Sequence, residues 1–196
     1  MLKLRSARLA RQTGVTLVEV LVTMLIVAFG LLGLVGMQVR AQQATYESYQ
    51  RAQAVLLLSG ITEKINANRP NAGNYVSAST VGAGDSQTAT CGALAIGAAR
   101  DLCEWSNSLK GANEKQTSSG SSVGAMIDAR GCITQTQAMD LLTCKPAVYL
   151  VTIAWQGLFP TAASANVCAQ NLYGSDDSQR RVISSQITIG LTTCAP

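Results

Sequence analysis

The sequence of 196 residues contains no histidine, and this absence excludes several kinds of site. Ser-His-Asp and Cys-His nucleophile systems need an imidazole as the general base, and histidine-containing zinc sites need it as a ligand. Charged residues make up only 13% of the chain, too few for a disordered polyelectrolyte. The length allows one or two ordinary domains.

The basic excess is confined to the N-terminus, where the first fourteen residues hold four bases and no acid: Lys3, Arg5, Arg8 and Arg11. The other 182 residues carry eleven basic and eleven acidic side chains, so the net charge of +4 belongs to this short tail. A formally neutral body lacks a basic stripe, and we therefore expect no nucleic-acid partner. Bases that precede an apolar run favour a cytoplasmic N-terminus.

The longest apolar run covers residues 15–37, which is 23 residues with a single charge, Glu19. As a helix it is about 34 Å long, enough to span a hydrocarbon core of roughly 30 Å. A secretory signal would have a shorter apolar core followed by a small-residue cleavage site, and neither is present. An ordinary single-span anchor is one interpretation of this run.

Glu19 favours a more specific interpretation than a plain anchor. A carboxylate in a membrane segment is costly and marks a functional site whose partner has to be named. The apolar run carries no positive group at that depth, so the partner must come from another chain or from a newly exposed α-amine.

The segment GVTLVEVLVTMLIVAFGLLGLVGMQ, residues 14–38, resembles the processing and assembly segment of type IV prepilins and pseudopilins. The resemblance implies that prepilin peptidase cuts after Gly14 and that 1–14 is a cleaved basic leader. It also implies that Val15 becomes the methylated N-terminus and that Glu19 pairs with a neighbouring subunit's N-terminus as a filament forms. Val15 departs from the phenylalanine that the family most often has there.

The physical chemistry suits each of these implied roles. Glycine lets the backbone enter a tight protease active site. The cut creates an α-amine with a reference pKa of about 7.7–8.0, which can carry a positive charge. Such a cation and a carboxylate attract strongly among apolar helices, and an unpaired carboxylate there is penalised.

No proline occurs before Pro70, so the helix is predicted to continue beyond the transmembrane and assembly segment 15–37. Over 38–67 it becomes amphipathic, with one apolar stripe formed by Ala54, Leu58, Ile61 and Ile65. Residues 68–196 are expected to form a globular periplasmic head. Residues 71–90 are rich in Gly, Ala, Ser and Thr and are predicted to be a loop.

Within the head, the spacing of apolar residues predicts a short helix over 98–110 that stops at Gly111. Alternating residues predict strands over 147–157 and 181–191, with a weaker third strand over 126–134. We expect an α+β, type IV pilin-like fold in which the long helix packs on an antiparallel sheet. The inner faces of the two stronger strands should carry Tyr149, Val151, Ile153 and Trp155, and Ile183, Ile187, Ile189 and Leu191.

Three short blocks narrow the resemblance within the superfamily. DLCEW, YLVTIAWQG and the membrane-end block GLLGLVGMQ are similar to the PilV-type minor pilins. This subfamily implies a minor structural subunit that enters or primes a type IV pilus, with roles in adhesion and twitching motility.

Six cysteines lie beyond the apolar run: Cys91, Cys103, Cys132, Cys144, Cys168 and Cys194. An even number on the translocated side of a membrane predicts three disulfides, and six cysteines allow fifteen connectivities. Our first choice closes neighbouring loops, as Cys91–Cys103, Cys132–Cys144 and Cys168–Cys194. The absence of any C-x-x-C motif disfavours a metal knuckle or a redox pair.

The leading hypothesis is a structural pilus subunit with no enzymatic activity, no cofactor and no metal. It would sit in the inner membrane with its head in the periplasm and later move to the cell-surface pilus. Its partners would be prepilin peptidase, other minor and major pilins, the assembly platform, membrane lipid and a tip adhesin.

Two other functions stay open. A minor pseudopilin of a type II secretion system would share the same processing and helix chemistry. An anchored periplasmic enzyme or binding protein is the alternative from another class, with Asp176 and Asp177 as possible Ca²⁺ ligands. A solvated turn beside Arg180 and Arg181 explains that acidic pair more simply.

Overall fold

The computed structural model describes residues 14–111, 117, 124 and 126–191. In chain order the elements are helix α1 (Leu17–Ala67), a 3₁₀ helix (Arg69–Tyr75), strand β1 (Val81–Gly82), helix α2 (Ala98–Leu109) and strands β2 (Ile127–Gln137), β3 (Ala147–Gln156) and β4 (Arg180–Ile189). The chain divides into two compact units after Ala44. The second unit contains the sheet and both shorter helices.

Helix α1 confirms the predicted long helix, since it covers 51 residues without interruption. Its end follows from the local sequence, because Pro70 lacks the backbone N–H that a further α-helical turn would need. The chain continues there as the 3₁₀ helix, with Pro70 in its first turn.

The sheet has the order β1-β2-β3-β4, and every neighbouring pair is antiparallel. Strands β2, β3 and β4 therefore confirm the predicted antiparallel sheet. Two details of the prediction were wrong. The segment expected to be only a loop contains β1 and most of the 3₁₀ helix, and β4 ends at Ile189, so Leu191 lies beyond it.

The core of the head lies between α1 and the inner face of the sheet. The predicted stripe on α1 is buried, with Ile65 and Ala54 fully so. From the sheet, the core takes in residues that alternate along β3 and β4: Tyr149, Val151, Ile153, Trp155, Ile187 and Ile189. A period-2 face packed on a helical stripe accounts for this arrangement.

Trp105 is one of the buried residues that attach helix α2 to the core. Its indole Nε1–H donates to the Leu57 carbonyl of α1 at 3.2 Å. The ring lies against Gly131 of β2, where an added Cβ would stand 2.2 Å from a ring carbon. Gly131 therefore makes room for the indole, and one side chain connects α1, α2 and the sheet.

The disulfides correct part of the predicted pairing. Cys91–Cys103 is present as expected. Cys132 pairs with Cys168, so the expected Cys132–Cys144 and Cys168–Cys194 pairs are wrong. The physical reason is that the segment after β3 folds back over the outer face of the sheet. There Cys168 lies beside Cys132, with their Cα atoms 5.8 Å apart, and it takes the place that was expected for Cys144.

Cys144 is disulfide-bonded as well, and Cys194 lies outside the described residues. No described cysteine is free.

Candidate functional site: the N-terminal segment

The N-terminal end of α1 is organised by Thr16. Its carbonyl accepts the backbone N–H groups of Glu19 at 3.1 Å and Val20 at 3.2 Å. Its hydroxyl Oγ1 accepts the Glu19 N–H as well, at 3.3 Å. Thr16 is therefore the N-cap, and it satisfies a backbone donor that the first helical turn leaves without a partner.

Glu19 lies in the first turn of the helix that Thr16 caps. The spacing Thr-x-x-Glu is that of a capping box, in which the residue three positions after the cap is Glu or Gln. A carboxylate in a first turn also interacts favourably with the positive end of the helix dipole. Glu19 therefore helps to start the helix. An experiment on its function has to distinguish this local role from a role in contacts with other molecules.

Gly14 and Val15 precede the helix in an open conformation. Both residues are exposed, and no atom lies within 4 Å of the position of a Cβ on Gly14. A protease can therefore reach the peptide bond between them without first unfolding a helix. Residues 1–13, which include the four bases of the predicted leader, lie outside the described residues.

The apolar side chains that follow are uncovered. Leu17 is 80% exposed and Phe29 67%, and the most apolar 18-residue window of α1 has a mean hydropathy of 2.6. By length and composition α1 is able to cross a membrane. An exposed apolar surface of this size is unfavourable in water and indicates a lipid or protein environment around the helix.

Two family models match the chain. Residues 9–35 match the prokaryotic N-terminal methylation motif, and residues 36–107 match the type IV pilin Tt1218 family. The chain is a type IV pilin. The first match contains the cap and Glu19, and the second contains the rest of α1 together with Cys91 and Cys103.

As a type IV pilin, the chain is a pilin-like subunit that prepilin peptidase processes. The family is structural and is not known for enzymatic activity. Other pilins are the partners that such a subunit implies. No curated protein and no solved structure gives a significant match to the chain.

Several titratable groups of the head form one cluster between α1, the 3₁₀ helix and α2. Lys64 Nζ lies 2.6 Å from Glu104 and 3.2 Å from Asp101, and the Tyr75 hydroxyl donates to Asp101 at 2.5 Å. Burial and the Asp101 carboxylate raise the pKa of Tyr75 to about 12. These groups fasten α1, the 3₁₀ helix and α2 together, and Arg100, 3.0 Å from Glu104, supplies the second cation that balances the two carboxylates.

The acidic pair that was considered for Ca²⁺ has two separate roles. Asp176 is exposed and accepts the Ser178 N–H at 3.1 Å. Asp177, in contrast, is only 5% exposed and forms an ion pair with buried Arg180 at 3.2 Å. The prediction of a solvated turn is therefore wrong for Asp177. Among the residues that the structure describes, no group of His, Cys, Asp or Glu has a metal-binding arrangement.

Three residues with structural roles, Thr16, Arg180 and Arg181, were not predicted to have them. The Thr16 cap was detectable, because Thr-x-x-Glu before an apolar run is a known helix-start pattern. The arginines had no such signal. Arg180 donates to the carbonyls of Ser164, Asn166 and Cys168, and Arg181 forms an ion pair with Glu47, 134 positions away.

Proposed function

We propose that this pilin is a minor structural subunit of a type IV pilus. Prepilin peptidase removes residues 1–14 by cutting after Gly14, and Val15 becomes the N-methylated terminus. Glu19 then pairs with the N-terminal amine of an adjacent subunit while α1 moves from lipid into the fibre. The work of the protein is insertion and contact, without catalytic turnover, cofactor or metal.

The observation that carries the proposal is a single carboxylate in the first turn of an uncovered apolar helix. Glu19 is the one charged residue between Val15 and Met37. A cut after Gly14 creates a cation four residues before Glu19 in each subunit. A cation and a carboxylate on two helices attract far more strongly in an apolar bundle than in water, and an unpaired carboxylate there is disfavoured.

The cysteines support a periplasmic head. Disulfides persist in oxidising compartments, and both Cys91–Cys103 and Cys132–Cys168 lie in the unit that follows Ala44. An N-terminus held in the cytoplasm by the four leader bases agrees with this orientation. We propose an inner-membrane precursor that becomes part of a surface pilus.

The minor-subunit assignment rests on the PilV-type blocks. DLCEW lies on α2 and YLVTIAWQG begins on β3, so the similarity reaches the head as well as the apolar segment. We propose other minor and major pilins, the assembly platform and a tip adhesin as partners. If type II secretion pseudopilins co-purify with the chain in place of pilus subunits, it belongs to that machine.

The test compares two variants that separate the charge of Glu19 from its role in starting the helix. Glu19→Gln keeps a residue that a capping box accepts but removes the charge. Thr16→Ala removes the cap, at a cost of about 1 kcal/mol, and leaves the charge. We expect Glu19→Gln to be cleaved normally and to be lost from sheared pili at least tenfold, whereas Thr16→Ala is cleaved and incorporated to within a few-fold of the native chain.

Equal incorporation of the Glu19→Gln and native chains would show that charge pairing does not recruit the subunit. The cleavage site is tested separately, by N-terminal sequencing and intact mass of the chain extracted from membranes. We expect a chain that begins at Val15 and carries one methyl group. A chain that begins at Met1 in cells with active prepilin peptidase would overturn the processing site.

A further inference from the structure

Strand β4 forms one border of the sheet and is built with unusual regularity. It pairs with β3 through ten consecutive residue pairs, from Gln156 opposite Arg180 to Ala147 opposite Ile189, without a bulge. Within the described part of the chain no strand lies on its other side, because the sheet order ends at β4. A long regular strand at the border of a sheet presents a row of backbone donors and acceptors to any extended chain beside it.

The register shows which backbone groups of β4 point outward. The Ser77 N–H donates to the Ile133 carbonyl at 3.2 Å, so the backbone of Ile133 points away from β3. Ile133 lies opposite Val151, which lies opposite Ser185. Opposite residues of an antiparallel pair either bond to each other or both bond away from each other. Because Ile133 bonds away from β3, Val151 bonds away from β2 and toward β4, and Ser185 bonds back to Val151. Along β4 this direction alternates from one residue to the next. The outward groups are then those of Val182, Ser184, Gln186 and Thr188.

Among the described residues, nothing satisfies these outward groups through the backbone. The residues just before β4 do have backbone partners. The Gly157 N–H donates to the Gln179 carbonyl, and the Thr161 N–H donates to the Ser178 carbonyl. Beyond Arg181 the described part of the chain contributes no backbone hydrogen bond to this edge.

The devices that usually protect such an edge are also missing. Edge strands are commonly blocked by proline, bulges or free charges, above all lysine. Residues 182–191 contain no charge and no proline. The two arginines that begin β4 are engaged inside the head, since Arg180 pairs with Asp177 and Arg181 with Glu47. Their charges do not repel an approaching strand.

The opposite border of the sheet, formed by β1, is shorter and partly covered. Strand β1 there has only two residues, and Ser77 covers part of the neighbouring strand β2 through its bond to Ile133. In the residues that the structure describes, one border of the sheet is thus short and partly covered, whereas the ten-residue strand β4 at the other border is uncovered.

We propose that the outer edge of β4 is an interaction surface that receives an extended strand from a second pilin subunit. This inference rests on the proposed function, because it assigns the subunit a contact between heads in addition to the contact made by Glu19. Only an extended backbone matches alternating donors and acceptors over four outward residues. An uncharged edge favours an uncharged strand, and the incoming residues that face inward extend the apolar row of Ile183, Ile187 and Ile189.

The first experiment places a photo-crosslinker on this edge in the full-length chain, in cells that assemble the fibre. Gln186→p-benzoylphenylalanine puts the probe beside the open edge. The control is Thr134→p-benzoylphenylalanine. Thr134 lies opposite Leu150, which lies opposite Gln186, so all three are in one row across the sheet. Thr134 is two strands away from Gln186, which is about 10 Å. We expect an adduct from position 186 to a strand of another pilin, at least tenfold stronger than from position 134.

The second experiment blocks the edge without touching the β3 ladder. Gln186→Pro removes one outward N–H, which an edge strand tolerates, while Gln186→Thr keeps it. We expect incorporation into sheared pili to fall about tenfold for the proline variant, equivalent to about 1.4 kcal/mol, and to stay at the native level for the threonine variant. Thermal unfolding and the presence of the Cys91–Cys103 and Cys132–Cys168 disulfides verify that each variant is folded.

The outcomes separate the two proposals. If the native chain is absent from pili, the proposed function fails. If the native chain is incorporated through Glu19 but position 186 gives no adduct, or an adduct to a helix or to a protein other than a pilin, the edge proposal is overturned. Native incorporation of a folded Gln186→Pro variant overturns it as well.

Discussion

At the scale of single residues, the head depends on a few side chains that connect distant parts of the chain. Asp85 is one of them, because its carboxylate accepts the Gly82 N–H at 2.7 Å, the Ser106 hydroxyl at 2.8 Å and the Lys110 ammonium group. These bonds hold the turn after β1 against α2. Burial opposes ionisation of Asp85, but the hydrogen bonds outweigh it and hold the pKa of this carboxyl below its ordinary value.

The lowered pKa makes a testable statement about acid stability. A carboxyl whose folded pKa lies below its unfolded value of about 3.9 stabilises the head above that pH, and this stability is lost as the pH falls through the folded pKa. We expect Asp85→Asn to lower the unfolding free energy at pH 7 by about 1–3 kcal/mol. Its deficit should shrink between pH 4 and pH 2.

The measurement is thermal unfolding of the full chain in detergent at a series of pH values. Glu63→Gln, at an exposed position of α1, is the matched control and should leave the midpoint unchanged. A constant deficit for Asp85→Asn at every pH would contradict the assigned role of the ionised carboxylate.

Gly131 is the second residue on which the head depends, and its role is purely steric. We expect Gly131→Ala to destabilise the head by about 1–3 kcal/mol, because the new methyl group overlaps the Trp105 ring. Gly92→Ala is the control, since nothing lies within 4 Å of that added Cβ. Tryptophan fluorescence during chemical unfolding reports both changes, and equal midpoints for the two variants would contradict the packing described.

At the scale of elements, the segment between β3 and β4 is held to the sheet by two different devices. The Cys132–Cys168 disulfide fastens it covalently to β2. Arg180 holds the same segment through three carbonyl groups while its own charge is matched by Asp177. A segment fixed this way covers part of the outer sheet face and leaves the free edge of β4 regular.

The two described disulfides should contribute unequally to stability. Cys132–Cys168 spans 36 positions and Cys91–Cys103 spans 12. In the chain-entropy model the longer loop contributes about 4 kcal/mol and the shorter about 3 kcal/mol. We expect the double serine variant at 132 and 168 to unfold at a lower denaturant concentration than the one at 91 and 103. The reverse order would contradict the loop-length argument.

At the scale of the whole molecule, the proposed cut after Gly14 would change the charge of the protein. Removal of 1–14 takes away four basic side chains and no acidic one, leaving eleven of each. We therefore expect the mature chain to focus at a distinctly lower pH than the precursor accumulated in cells without prepilin peptidase. Two-dimensional electrophoresis measures this, and an unchanged isoelectric point in cells with active peptidase would contradict removal of the leader.

The proposed loss of the leader charge also bears on assembly. A subunit without net charge meets little long-range repulsion from other subunits, so local contacts decide where it binds. In the proposals above, those contacts are Glu19 in the apolar segment and the open edge of β4 in the head.

The sequence by itself determined the features that depend on neighbouring residues. The long helix, its apolar segment, the Thr16 cap spacing and Glu19 all follow from periodicity, from the absence of proline and from residues a few positions apart. The three longer strands were predictable for the same reason, since alternation is a local pattern. The short-loop rule gave the Cys91–Cys103 pair correctly, but the same rule failed for Cys132, whose equally near neighbour Cys144 is not its partner.

Only the tertiary structure decided which distant residues meet. Cys132 pairs with Cys168, Trp105 occupies the space that Gly131 leaves, and Arg181 reaches Glu47, because the chain brings these residues together from far apart. The open edge of β4 is also a consequence of the sheet order. A strand of the same sequence in the middle of a sheet would have hydrogen-bonded neighbours on both sides. Local patterns contain no information on such meetings, which depend on how the elements pack.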